Sequence, residues 1–476
     1  MIGQKLLTIL QSLDSNEFKK MKRAFESPYF ATNARLLVLY SYLRKHHPGF
    51  DEKYLQKEKL FQKLYPGKPY NGGLLRVLLR EFSVVVEDFI MMERLRNDKQ
   101  RRKKMLVSEY AERNLYEYFK KGTFELLEKK EGGFVPDMEH FMERVELLQA
   151  YSFHPLTNAY DKKDNSLEVL MDSLDAYFVL AKYRFSQVLN NKNTIFKKKA
   201  KYNFFEIIKE DRYGLSSENK LIQLYELLDN LHETNDEKYF FELKKELFPN
   251  IDQIKRTDRM IIYFMGLNYC ARQINSGIHS FYKEQFEWYK EGLARNLLLD
   301  GEQMSDSTLN NIIVAACRLK EFIWAENFLE KYESKVSSQF RQDAIKFAKG
   351  TLLFHRNEFE KTLTCFSMHN FSPKYQPKVR VRILQTLFEL FLIDKNYFLT
   401  MESYIESFRK YLNRNTFFSE NKLRPILKYI QITGRLSKKI MNGQDKKTIR
   451  QWLKMIIESE ANILGKSWFL DLLNKI

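Results

Sequence analysis

The chain has 476 residues, 44% of them hydrophobic, with only 17 Gly and 10 Pro, and 79 Lys+Arg against 61 Asp+Glu leave a formal net charge of +18. This excludes wholesale disorder and disfavours a sheet protein rich in tight hairpins. It leaves roughly two to four helical domains or one continuous helical array. The positive charge permits nucleic acid or an anionic surface as a partner and requires neither, because lysine-rich helix faces are ordinarily just solvated.

Cys270, Cys317 and Cys365 are odd in number and far apart, which is no disulfide framework and fits a reducing compartment. Met1-Ile-Gly-Gln-Lys-Leu-Leu lacks the long apolar run and cleavage site of a signal peptide. No stretch approaches the ~18 apolar residues of a membrane span. A cytoplasmic protein without membrane insertion is expected.

Leu6, Leu7, Leu10 and Leu13 form a first apolar helical stripe. Asp14 or Ser15 can cap a second helix carrying Phe18, Met21 and Phe25, and a third runs from about Asn33 to Leu43. Asp51 to Tyr65 gives another, with Lys57, Lys59 and Lys63 outside. The turn Pro66-Gly-Lys-Pro-Tyr-Asn71 follows. From Gly72, the residues Leu75, Leu78, Phe82, Val85, Phe89 and Met92 alternate steps of three and four. That spacing predicts a long helix, 72–130, packed along another helix of the same chain; pairing with a second copy stays open. Its middle, Arg94–Lys104, holds seven Lys/Arg against one acid. Gly132-Gly133-Phe-Val-Pro136 marks the end of an N-terminal helical domain, 1–133.

The remainder, 134–476, reads as helix after helix. Leu167, Leu170, Leu174, Tyr177, Phe178, Ala181, Phe185 and Val188 make one clean amphipathic stripe. Between Leu309 and Leu412 the pattern becomes periodic: Phe322, Phe359 and Tyr397 stand 37 and 38 residues apart. Ala325, Thr362 and Thr400 come three residues later, and Leu329, Phe366 and Tyr404 seven later. Such a period predicts stacked helix pairs, since one pair cannot bury its apolar face alone. Two last helices, Leu423–Leu436 and Ile449–Leu473, are expected to cap the array with Trp452, Ile456, Trp468 and Leu472.

Gly350, Phe359, Thr362, Phe366 and Pro373 follow one another as they do in a tetratricopeptide repeat, which this segment resembles. The resemblance covers about 105 residues well and implies an all-α fold: a helical domain followed by a right-handed superhelix whose concave face, lined by first helices, binds a protein or peptide. Asn310, Arg318, Phe347, His355, Arg382 and Gln385 would line that face. Some proteins of this family hold a peptide carboxylate with lysines and asparagines. Asn310 and Asn311 lie near two such positions, but the lysines are missing, so that chemistry is not expected.

A second resemblance is weaker. Lys59–Gly67 followed by Asn71–Arg80 is similar to the helix-turn-helix of bacterial winged-helix regulators, one group of which carries tetratricopeptide-like helices behind it. It implies DNA contacts from Lys68, Tyr70, Asn71, Arg76 and Arg80, with phosphate contacts from Arg101, Arg102, Lys103 and Lys104. The six-residue turn is long for this motif, and no hairpin for a wing follows.

Catalytic signatures are missing. The sequence has no His-Glu-x-x-His, no Cys-x-x-Cys, no Gly-x-x-x-x-Gly-Lys and no Gly-x-Gly-x-x-Gly. No metal, cofactor or enzymatic activity is expected. The expected function is a scaffold binding a protein or peptide, with a DNA-binding regulator as the alternative.

Overall fold

Short polar side chains set the helix starts of the N-terminal region. The computed structural model describes residues 3–128, 135–158, 163–196, 208, 219–414, 417–418, 420–459 and 463–476; the expected boundary at Gly132-Gly133 lies outside them. The chain divides into two compact units, Met1–Lys130 with Glu143–Met171, and Glu131–Met142 with Asp172–Ile476.

The first unit holds α1 (Gln4–Ser12), α2 (Ser15–Lys20), α3 (Lys22–Glu26), α4 (Ala34–Arg44), α5 (Lys57–Leu64), α6 (Gly72–Asn97), α7 (Lys99–Glu112) and α8 (Tyr116–Leu127). Asp14 and Glu17 form a reciprocal capping box on α2, and Asn33 and Asn71 cap α4 and α6. Leu10, Met21, Leu39, Leu60, Phe61, Phe82 and Val86 are sealed inside its core. The single helix expected over 72–130 is three helices. Asp98 leaves helical geometry (φ −109°, ψ 87°), and its carboxylate accepts from the Arg101 amide to start α7. Asn114, at φ 56°, ends that helix. Asp and Asn compete with the helix for backbone partners, and a periodic apolar stripe does not register that competition.

Helices α9 (Met138–Ser152) and α10 (Ser166–Phe196) contribute residues to both units. The stripe on α10 does not pack as expected. Leu174, Phe178, Phe185 and Val188 face outward, while Ser173, Ala176, Leu180, Tyr183, Ser186 and Gln187 are buried. Small residues let the helix lie close to its neighbours, and hydrogen bonds hold it there: Arg184 to Glu139 (2.9 Å) and Gln187 to Asp229 (3.4 Å).

Among the described residues helix pairs then follow: α11/α12 (Lys220–Thr234, Glu237–Asn250), α13/α14 (Arg256–Ser276, Phe281–Ala294), α15/α16 (Asp306–Arg318, Phe322–Tyr332), α17/α18 (Arg341–His355, Phe359–Ser367), α19/α20 (Gln376–Ile393, Tyr397–Asn413) and α21/α22 (Glu420–Met441, Lys446–Ser459), with α23 (Lys466–Lys475) after them. Each first helix packs on its own second helix, and α15, α17, α19 and α21 pack in succession on one another. This is an all-helical arrangement of sequential pairs, consistent with a helical repeat; among the described residues there are only two isolated β-bridges and no strand.

The pairing has a local cause. Asn235, Lys320 and Asn357 adopt φ of 53°, 62° and 62°, each two residues before its second helix, which turns the chain back on itself. Phe322, Phe359 and Tyr397 are the first residues of α16, α18 and α20. A Cβ on Gly350 would come within 2.4 Å of the Phe366 ring, so only glycine permits that crossing. The same crossing recurs at Gly266, where a Cβ would meet Trp288 at 2.2 Å; Trp288 is seven residues beyond Phe281, as Phe366 is beyond Phe359. In α20 the register slips by one: Thr400 is exposed, and Met401 and Ile405 are buried in its place.

The end of the chain also differs from expectation. The helix expected over Ile449–Leu473 is interrupted, and Gly465 (φ 71°) redirects α23. Trp468, Phe469 and Leu472 are buried, with Trp468 against Phe388 and Tyr429. No described helix is long and apolar enough to cross a membrane.

Candidate functional site

The six residues expected on the concave face do not form one open surface. Asn310 is buried, donating to the Asp306 carbonyl (2.9 Å) and the Tyr375 hydroxyl (2.9 Å), while Tyr375 donates to the Asp306 carboxylate (2.8 Å). Phe347 is buried between Phe366 and Tyr375. Gln385 is buried and accepts from Arg382 Nη1 (2.9 Å).

Arg318, His355 and Arg382 do gather, together with the last helix. Arg318 pairs with Asp471 and donates to Ser467 Oγ (2.9 Å), both on α23. Glu389 of α19 accepts from Trp468 Nε1 (3.0 Å) and Lys475 Nζ (2.7 Å) of the same helix. Arg382 lies over the Phe354 ring at 4.6 Å, and among the described residues it has no carboxylate partner. Burial first, then the neighbouring Arg318 charge, push its guanidinium down to about 10. His355 Nε2 has no hydrogen-bond partner, and burial with Arg382, Arg318 and Lys475 nearby holds the ring well below its ordinary value. The first helices thus already hold a helix on this face, the protein's own.

An open groove of about 1580 Å³ lies elsewhere, between the α17/α18 and α19/α20 pairs. Its walls are the start of α17 with Phe340 and Asp343, the link Asn370–Pro373, Gln376 and Arg380 of α19, and Glu406, Lys410, Tyr411 and Arg414 at the end of α20. Pro373 and the short α18 make the wall irregular, leaving space that a full second helix would fill. Asp343 pairs with His369 Nε2 (2.7 Å) and accepts from the Ser372 amide (3.0 Å). Burial raises its carboxyl, but the Ser372 and His369 contacts outweigh that and hold it below the usual range. Glu406 pairs with Arg409 (2.7 Å). Arg380 stacks over Tyr411 at 4.3 Å with its Nε unpartnered. Among the described residues, Arg380, Lys410 and Arg414 have no carboxylate partner. The acids here have polar partners, whereas the described residues give these cations no carboxylate, so the groove favours an anionic chain. None of the six residues named from sequence lines it. Its cations come from α19 and the end of α20, with no local run to mark them.

Asp137, Glu139 and Asp258 place carboxylate oxygens within 4.8 Å of one another, a spacing a cation could use. Protein cations are already there: Lys255 reaches Asp137 (3.0 Å) and Glu139 (3.4 Å), Arg184 reaches Glu139, and Tyr225 donates to Asp258 (2.6 Å). The cluster ties α9, α10, α11 and α13 together as a network of ion pairs and a hydrogen bond.

In the first unit, Lys68, Tyr70, Asn71, Arg76 and Arg80 are exposed around the start of α6. Asn71 is committed to capping, accepting from the Gly73 and Leu74 amides (2.9 and 3.1 Å). Arg101 and Arg102 are exposed, whereas Lys103 pairs with Glu125 and Lys104 with Glu146 (2.5 Å each).

Compared with known proteins, the chain matches no family model, no curated protein and no solved structure.

Proposed function

We propose that this chain is a non-enzymatic, tetratricopeptide-like scaffold that binds an acidic peptide segment of a partner protein. The observation that carries this reading is the open groove in which Arg380, Lys410 and Arg414, with no carboxylate partner among the described residues, stand beside Phe340, Phe371 and Tyr411. At about 1580 Å³ it exceeds the ~300–1,000 Å³ of ordinary small-molecule sites, and it is open along its length, which suits a chain rather than a metabolite. Aromatic walls and unpaired cations supply apolar anchors and charge complementarity. The test is peptide display selection against the full chain. Acidic peptides should be enriched, and their binding should be lost on Arg380→Glu with Lys410→Glu. Selection of nothing, or of peptides indifferent to the double change, would sink the reading.

The DNA-binding alternative draws on exposed Arg76, Arg80, Arg101 and Arg102, but Lys103 and Lys104 are neutralised by ion pairs, which weakens it. Duplex DNA binding over a salt series decides it. A regulator would show affinity falling with salt and lost on Arg76→Ala with Arg80→Ala.

A further inference from the structure

Helix α10 leaves outside the face its sequence would bury. Leu174, Phe178, Phe185 and Val188 are 40–55% exposed, and Ala181 lies half-buried between them. Their steps of four, three, four and three are those of a coiled-coil seam. The opposite face is fixed to the protein: Tyr183, Ser186 and Gln187 are buried, and Arg184 is bonded to Glu139. The helix therefore presents an apolar ridge from a rigid mount, and such a ridge marks an interaction surface.

We infer that this ridge pairs with α10 of a second copy of the chain, antiparallel, about a two-fold axis between Val179 and Leu180. The argument is register and charge. Laid antiparallel, Leu174 meets Phe185 of the second copy, and Phe178 meets Ala181, so each large ring faces a smaller side chain and each layer occurs twice. Asp175 and Lys182 each directly follow a seam residue, and in this register they face one another across the pair, also twice. Lys182 lies over the Phe178 ring at 5.4 Å, at the rim of the seam where that contact would form. A parallel pairing sets Phe178 on Phe178 and Ala181 on Ala181, crowding one layer and hollowing the next, and it brings no opposite charges together. The seam shares no residue with the peptide groove, so the two readings stand or fall separately.

The test uses the full chain in sedimentation or light scattering from about 1 to 100 µM. A dimer is expected, with Phe178→Asp monomeric, unchanged in circular dichroism, and melting at a temperature that no longer rises with protein concentration as the wild type's does. Asp175→Lys should weaken the dimer about tenfold, and Asp175→Lys combined with Lys182→Asp should restore it. A chain monomeric throughout overturns the proposal, as does a dimer that Phe178→Asp leaves intact. A double exchange that fails to restore affinity overturns the antiparallel register.

Discussion

Arg380 and Arg382 stand two residues apart on α19 and meet opposite fates. Arg382 turns toward the first helices, where it lies on Phe354, bonds the buried Gln385 and shares a closed face with α23. Arg380 turns into the open groove and lies on Tyr411 with its Nε unpartnered. Two residues are about 200° of helix. Residue type is the same, the exposure to a partner is not, and helical phase decides which arginine is structural. The face expected to bind a partner is occupied by the protein's own helix α23, and the cations without a carboxylate partner among the described residues lie on another side of the same helix pairs.

The sharpest way to break this comparison is to empty the closed face. Trp468→Ala removes a buried indole from between Phe388 and Tyr429 and leaves Glu389 without one of its donors. The expected cost is about 3–5 kcal/mol, read as a lowered denaturant midpoint and lost hydrogen-exchange protection in α19 and α21. A loss below ~1 kcal/mol would mean that α23 is only loosely seated and the face is open after all. Arg318→Ala is the next largest effect. It strands Asp471 and Ser467, and because Asp471 is 34% exposed the expected loss is about 1–2 kcal/mol. The same melts check it, and Asp471→Asn with Arg318→Ala should lose less than the sum of the single changes.

Much of the helix pairing was legible in the sequence, because it is enforced by local geometry. Phe322, Phe359 and Tyr397 do begin second helices, and Gly350 does sit under Phe366. The equivalent crossing of Gly266 and Trp288 was hidden by a longer first helix, which runs on to Ser276 beyond Gly266 where the other stops at His355 beyond Gly350, and α20 by a one-residue slip to Met401. Periodicity identified the apolar face of α10 and assigned it to the wrong side, since tertiary packing took the small residues instead. The site was not legible. Nothing local distinguishes Arg380 from Arg382, and the seat of α23 depends on contacts across about 80 to 150 residues, such as Glu389 with Trp468 and Arg318 with Asp471.

A pH series sharpens the same contrast by a smaller margin. Burial, then Arg382, Arg318 and Lys475, hold His355 neutral well below its ordinary value. The unfolded chain therefore binds the extra proton below about pH 6.5. The stability this gives is fully present above that pH and is lost as pH falls, by at most ~1.4 kcal/mol per pH unit. Denaturant midpoints at pH 7.5 and 5.5 should fall more in the wild type than in His355→Leu. Asp306 and Asp343 are shifted downward, so their contributions fade only below about pH 4, outside this window. Equal falls in both chains would place His355 in contact with solvent and end its assignment to a closed face.

The smallest expected effect on stability belongs to Arg380, and that is its significance. Arg380→Ala gives up two cation–π contacts, with Tyr411 and Phe408, and breaks no ion pair among the described residues, for about 1 kcal/mol. Arg382→Ala instead removes the donor to Gln385 Oε1 and the cation over the Phe354 ring, but it also relieves a desolvated charge crowded by Arg318, so its cost is offset. Melting curves alone therefore separate the two arginines poorly. Binding of a selected acidic peptide separates them fully: lost in Arg380→Ala, retained in Arg382→Ala. The reverse result would return partner binding to the first-helix face and require α23 to leave it.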